Sequence, residues 1–328
     1  MDIKAKIIHG FIETVKADKR SVYFVLYYAL LEGILVLSIP LTSSFVINSL
    51  IAHSQISLVT LGTIISIVFA FIIFLRVIQE YIIEKFEQRV FVSEGYEVAN
   101  KVFKLKENHR STSYPIDKLM NYFFDITTIQ KIFPVLILNG AGLVVQTAMT
   151  LLLLLIFNLN LFLWALFIIV LNLVLILLFG KNGILYAIKR SDTKHNAIHY
   201  LQKIPALDIT KDEMLNTLEE KMDEYVVARQ NQFGVRIKQL GTSFFIQGVI
   251  ITGFFILGGY LVINGSLPVG EFVAAEIIVV TLIYALNGFA KQLDYIYDGL
   301  EGFYKIEKLS SGLEEETKEE DKQGAHHD

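Results

Sequence analysis

Two carboxylates, Glu32 and Glu276, stand inside long apolar runs where ionisable side chains are scarce. An acid held in hydrocarbon must pair, face water or exchange a proton, so such residues are candidates for ion, proton or cationic-substrate contact. Glu276 lies seven residues past Val269, roughly 10 Å in from a turn signal. Three roles fit it: lining a cavity, hydrogen-bonding a neighbouring helix, or contacting a cationic substrate or proton. Glu32 precedes Leu50 by 18 residues, roughly 27 Å in, near the opposite boundary where hydration is cheap. An ordinary solvated acid is the favoured reading there, and the difference in depth keeps the two acids apart. Gln247 and Asn287 complete the set of candidate cavity residues. For these two, and for Asn139, Gln146 and Asn172, interhelical hydrogen bonding is the more ordinary role.

Other chemistry is poorly supplied. The chain has no cysteine, which excludes a disulfide framework, thiolate zinc sites and a cysteine nucleophile. His195 and His199 stand at i, i+4, a chelating spacing, but Asn196-Ala197-Ile198 between them is not the H-E-x-x-H pattern and no third ligand is evident. A helix surface is the favoured reading of that pair, and no metal site is expected. The phosphate-loop pattern G-x-x-x-x-G-K-[ST] is absent; Gly180-Lys181 lacks both the upstream glycine and the Ser/Thr. No catalytic or cofactor-binding residues are therefore predicted. The net charge of −4, with no basic patch interleaved with aromatics, argues against nucleic acid as a partner.

The elements that hold these residues are legible from charge. Lys and Arg are missing from Ser21–Leu75, Ile132–Gly180 and Leu240–Ala290. Each stretch is about right for two membrane spans, which need roughly 20 apolar residues apiece. Basic residues gather in cytoplasmic segments. Three outward hairpins follow, with both termini cytoplasmic in an integral membrane protein, most simply of the bacterial inner (plasma) membrane. The spans are placed at 21–50, 59–80, 132–157, 161–181, 240–263 and 269–291. Lys4, Lys6, Lys16, Lys19 and Arg20 precede the first span, so the N-terminus reads as an amphipathic helix rather than a cleaved signal. The intervening segments, 76–131 and 181–238, keep apolar residues at helical spacing (Val77, Tyr81, Ile82; Val98, Val102, Leu105). The helices are therefore expected to run on below the membrane. The second would extend from Val59 to Lys106, roughly 70 Å. Short breaks are expected at His109–Asp117 and, with Pro205, at Ile204–Asp208. Glu80, Glu84, Glu87, Glu94 and Glu97 share one face of that second helix, read as a solvated stripe.

This all-α plan of six spans, long extensions and two distant breaks resembles the transmembrane domain of type I ABC exporters over residues 1–310. Three segments carry the likeness: STSYPIDKLMNYFFDITTIQ at 111–130, YLQKIPALDITKD at 200–212, and 264–309, with its outer turn NGSLPVGEFVAAE and its departing helix AKQLDYIYDGLEGFYKIEKL. The resemblance implies two coupling helices that dock on nucleotide-binding domains. It assigns Tyr114, Pro115, Ile116, Asp117, Lys118 and Leu119 to the first, and Gln202, Lys203, Ile204, Pro205, Leu207 and Asp208 to the second. It further implies a second copy or homologous transmembrane subunit, and ATP and magnesium bound by a partner ABC ATPase. Within this chain only the 18-residue acidic segment Ser311–Asp328 follows, for which no regular structure is expected.

Three functions compete. The first is the pore-forming subunit of an ATP-driven exporter. The second is an ATPase-free, proton-driven carrier on the same scaffold, motivated by Glu276. The third is a non-transporting receptor, adaptor or immunity protein that uses the extensions and acidic tail to bind a partner.

Overall fold

The computed structural model describes residues 11–54, 57–108 and 126–324, and every regular element among them is helical. In chain order these are α1 (Lys19–Val36), α2 (Ser38–Ile51), α3 (Leu58–Asn108), α4 (Ile126–Phe133), a π-helical stretch (Pro134–Gly140), α5 (Ala141–Phe157), α6 (Leu159–Phe179), α7 (Gly183–Lys203), a 3-10 turn (Ile204–Ala206), α8 (Lys211–Ile263) and α9 (Val269–Gly324). Taken end to end they form six helices long and apolar enough to cross a membrane. The first predicted coupling segment, Tyr114 to Leu119, lies outside the described residues.

Three turns close one side of the bundle, here called the turn side. They fall at 52–54, at Asn158 and at 264–268, within the stretches where the sequence places them. Each has a local cause. His53 and Gly265 adopt positive φ, 51° and 70°. The Asn158 side chain caps α6 by accepting from the Asn160 N–H at 2.9 Å. Opposite lies the extension side. At 53 residues, α8 is roughly 80 Å long, well over twice a ~30 Å hydrocarbon core. The helix α3 runs to Asn108, close to the predicted end at Lys106. The helix α9 continues to Gly324, through residues 311–324 for which the sequence predicts no regular structure. Glu and Lys are good helix formers, and half of that segment is built of them.

Breaks inside the spans follow from prolines and glycines. Pro40 has no N–H to offer the Val36 carbonyl, so the helix resets at Leu37, whose N–H turns to Ile34 O at 3.2 Å. Pro134 opens the π-helical stretch in the third span for the same reason. In the fourth span, Gly180 ends α6 and the Gly183 N–H returns to Gly180 O at 2.9 Å, which restarts the chain as α7. Only the prediction that this span ends near residue 181 anticipates that corner.

Two cores hold the bundle. One, toward the extension side, gathers Val25, Phe86, Val90, Ile129, Ile132, Phe133 and Phe303. Phe11 stacks on Phe133 there at 5.4 Å, tying the helical residues 11–17 to the bundle. The other, toward the turns, joins α5, α6, α8 and α9 through Leu154, Leu161, Ile168, Ile250, Phe254 and Val279. Apolar contact drives little association in lipid, so close fit must hold this second core. Gly253 accommodates Trp164 and Gly258 accommodates Phe272; a Cβ at Gly258 would lie 2.7 Å from the Phe272 ring. Gly248 and Gly259 face open space instead.

Candidate functional site

A cavity of about 420 Å³ opens between α1, α3, the π-helical stretch, α5 and α9. The Pro40 reset and the π-helical stretch both bring backbone irregularity to its walls, at Leu37 and Asn139. Its extension-side end is polar. Glu32 of α1 accepts from Arg76 Nε at 2.6 Å and from Gln79 Nε2 at 2.9 Å, both on α3. The Glu32 side chain is 18% exposed and that of Arg76 is 64% exposed. Glu80 follows one residue after Gln79 on the same wall. Across the opening, Asn139 Nδ2 donates to Gln292 Oε1 at 2.8 Å and joins the π-helical stretch to α9. Toward the turns the wall becomes apolar, with Val36, Leu37, Met149 and Ile278, and Gln146 as its one carboxamide.

Of the candidate cavity residues, Glu32 lines this space. Gln247 and Asn287 instead bond each other across α8 and α9: Asn287 Nδ2 donates to Gln247 Oε1 at 2.6 Å, and Gln247 Nε2 donates in return to Asn287 Oδ1. Glu276 is half-buried on α9 and is not among the cavity-lining residues. Arg76, Gln79 and Gln292 are lining residues that sequence reasoning missed. Hairpin register would have found the first. Arg76 is 18 residues beyond Leu58 and Glu32 is 18 before Leu50, so folding about the turn at 52–57 brings them level.

Below the cavity a ladder of polar contacts fastens the extensions together. Arg190 of α7 bonds Asp298 of α9 at 2.7 Å. Arg236 of α8 pairs with Asp294 of α9. Gln239 of α8 donates to Tyr297 Oη at 2.8 Å and to Ile176 O at 3.0 Å, clasping the α6–α7 corner. Deeper still, Lys305 and Glu301 are almost wholly buried and 2.7 Å apart. Lys305 Nζ also donates to Ser191 Oγ and lies 2.9 Å from His195 Nδ1. A cation already stands beside His195, so the His195/His199 pair is poorly placed to take a metal. No cluster of three or more potential ligands occurs among the described residues. The acidic stripe of α3 is not uniformly solvated either: Glu94 is buried, with Thr14 Oγ1 at 3.4 Å, and Glu87 accepts from Gln130 at 3.0 Å.

The second predicted coupling segment sits at the far tip of the extensions. Gln202, Lys203, Pro205, Leu207 and Asp208 are exposed and Ile204 is half-buried. The 3-10 turn forms because Pro205 presets φ near its start and cannot continue an α-helix. Thr210 then restarts the chain with a capping box: its hydroxyl accepts from the Glu213 N–H, and the Glu213 carboxylate accepts from the Thr210 N–H at 3.0 Å. Two apolar side chains, Leu207 and Ile209, are held out to solvent, 40% and 39% exposed.

No family model matches this sequence, and no curated protein matches it. Among solved structures, a bacterial Atm1-family ABC exporter with ATP bound matches with a TM-score of 0.69. The match covers 90% of this chain and 54% of that one at 14% identity. The chain thus spans about half the length of the exporter it matches. At that identity the likeness is one of fold: the chain is all-helical with six candidate spans, as the charge pattern predicts, and resembles the ABC exporter transmembrane fold that the sequence resemblance implies.

Proposed function

We propose that this chain is the membrane-spanning part of an ABC-type exporter. It lines the substrate pathway together with a second copy or a homologous subunit, in a bacterial inner membrane with both termini in the cytoplasm. ATP and magnesium are bound by a separate nucleotide-binding subunit or domain. The observation that carries the reading is the fold likeness over nine-tenths of the chain. Exposed apolar side chains at the tip of the extensions support it: Leu207 and Ile209 sit tens of ångströms from any lipid, where burial against a protein partner is the simplest return on their exposure. In this reading Gln202 to Asp208 dock on the ATPase, and the long helices carry its closure to the membrane.

Purification from native membranes tests the reading. A P-loop ATPase should co-purify, and its ATP hydrolysis should depend on this chain. Leu207→Asp should abolish co-purification while leaving the thermal midpoint of the chain unchanged, since the side chain is exposed. If no such ATPase accompanies the chain and ATP stimulates no transport, the reading fails. A pH-gradient-driven flux abolished by Glu276→Gln would then favour the proton-driven carrier.

A further inference from the structure

The cavity beside Glu32 is lined by five elements of this chain, and its walls grade from polar at the extension-side end to apolar toward the turns. Its lining on α9 runs from Ile278 to Gln292, about 21 Å at the helical rise. A volume of about 420 Å³ over a lining of that length gives a slot in the size range of small-molecule pockets. The far end is apolar; the charged end lies at the depth where α3 leaves a hydrocarbon core. There the charges do not balance. Arg76 is neutralised by Glu32, whereas Glu80 makes no ion pair among the described residues. Glu32, Arg76 and Glu80 together leave that end with one net negative charge beside the neutral carboxamide of Gln79.

We infer that this slot binds a single-chain amphiphile whose head carries an ammonium group. The ammonium lies against Glu80 and the Glu32–Arg76 pair, and the chain runs toward Met149 and Ile278. Two kinds of molecule present that chemistry: a zwitterionic lysophospholipid, whose phosphate would meet Arg76, and a simple long-chain amine. The inference does not depend on ATP coupling, because every residue it invokes belongs to this chain.

Gly142 and Gly288 supply the control. Both line the slot, and a Cβ at either meets nothing within 4 Å. A larger side chain there would begin in open space and extend into the slot. Purified full-length chain in detergent would be titrated with lysophosphatidylethanolamine, hexadecylamine and palmitate, and bound adducts read by native mass spectrometry. The expected result is one-to-one binding of at least one ammonium amphiphile, with palmitate at least tenfold weaker. Glu80→Gln should weaken the ammonium ligand about tenfold, and Gly288→Leu should abolish it, both with unchanged thermal midpoints in the absence of ligand. Binding of the lysophospholipid but not the amine identifies a zwitterionic head; the reverse identifies a plain cation. Equal binding of palmitate, or wild-type binding by both Gly288→Leu and Gly142→Leu, overturns the inference. Loss of the ATPase partner would leave all these results unchanged.

Discussion

At the scale of single residues, the most consequential side chains are those whose partners come from a different helix. Lys305 and Glu301 share α9, but Lys305 also reaches Ser191 and His195 of α7 and so fastens two extensions. Removing one member of a buried ion pair strands the other charge, which costs about 3–5 kcal/mol. Replacing both with neutral groups of similar size is often nearly neutral. Lys305→Met should therefore lower stability by several kcal/mol, and the double variant Glu301→Gln/Lys305→Met should recover most of it. Denaturant unfolding of the detergent-solubilised chain measures both. A double variant no better than the single would show that the charges are not the cause. Such pairs were illegible in the sequence for a plain reason. Helical spacing reports which residues share a face, whereas Lys305 and His195 meet only through the lateral placement of α7 against α9. Glu32 and Arg76 were within reach, because a hairpin converts distance from the turn into a shared depth.

At the scale of elements, charge and apolar content located helix ends well, and backbone chemistry decided the interruptions. Turns at 52–54, 158 and 264–268 coincide with polar residues in otherwise apolar blocks. The corner between α6 and α7 was hidden, because Gly180 and Gly183 look like tolerated small residues until Tyr297 is seen to lie over them. A Cβ at Gly183 would come 2.5 Å from Tyr297 Cζ, and one at Gly180 would come 2.7 Å from its hydroxyl. Overpacking of this kind costs about 1–3 kcal/mol. Gly183→Ala should lower the thermal midpoint, and Tyr297→Ala in the same chain should restore part of the loss; additive losses would refute the contact. The tip of α8 behaves differently. Thr210→Ala removes the cap hydroxyl and should cost about 1 kcal/mol, confined to the first turn of α8. Faster amide exchange over residues 211–214, with exchange in the membrane part unchanged, would register it.

At the scale of the whole molecule, topology is the main expectation to be tested. The chain has no native cysteine, so any introduced thiol is the sole reactive one. Ser266→Cys, in the exposed turn before α9, and Leu207→Cys, at the extension tip, should react with impermeant maleimide from opposite faces of sealed vesicles. Labelling of both from one face would overturn the hairpin arrangement. The six-span plan was legible because membranes impose one-dimensional rules: length, apolarity and the sidedness of Lys and Arg. The cavity was less so. Glu276 drew attention as an acid in an apolar run, yet a helix wheel cannot say whether a given face meets a void, a neighbour or lipid.

The length of α8 has a mechanical consequence. A helix that continues roughly 50 Å past the hydrocarbon is a lever with unequal arms. A tilt of about five degrees about the inner boundary sweeps its Lys211 end through about 4 Å, while one helical turn inside the pivot moves about 0.5 Å. A force applied at the tip would work through a long stroke at low force, and the α8 residues just inside the pivot, which pack on α9, would receive a short stroke at high force. Such a lever would convert coarse motion in water into fine adjustment among tightly packed side chains.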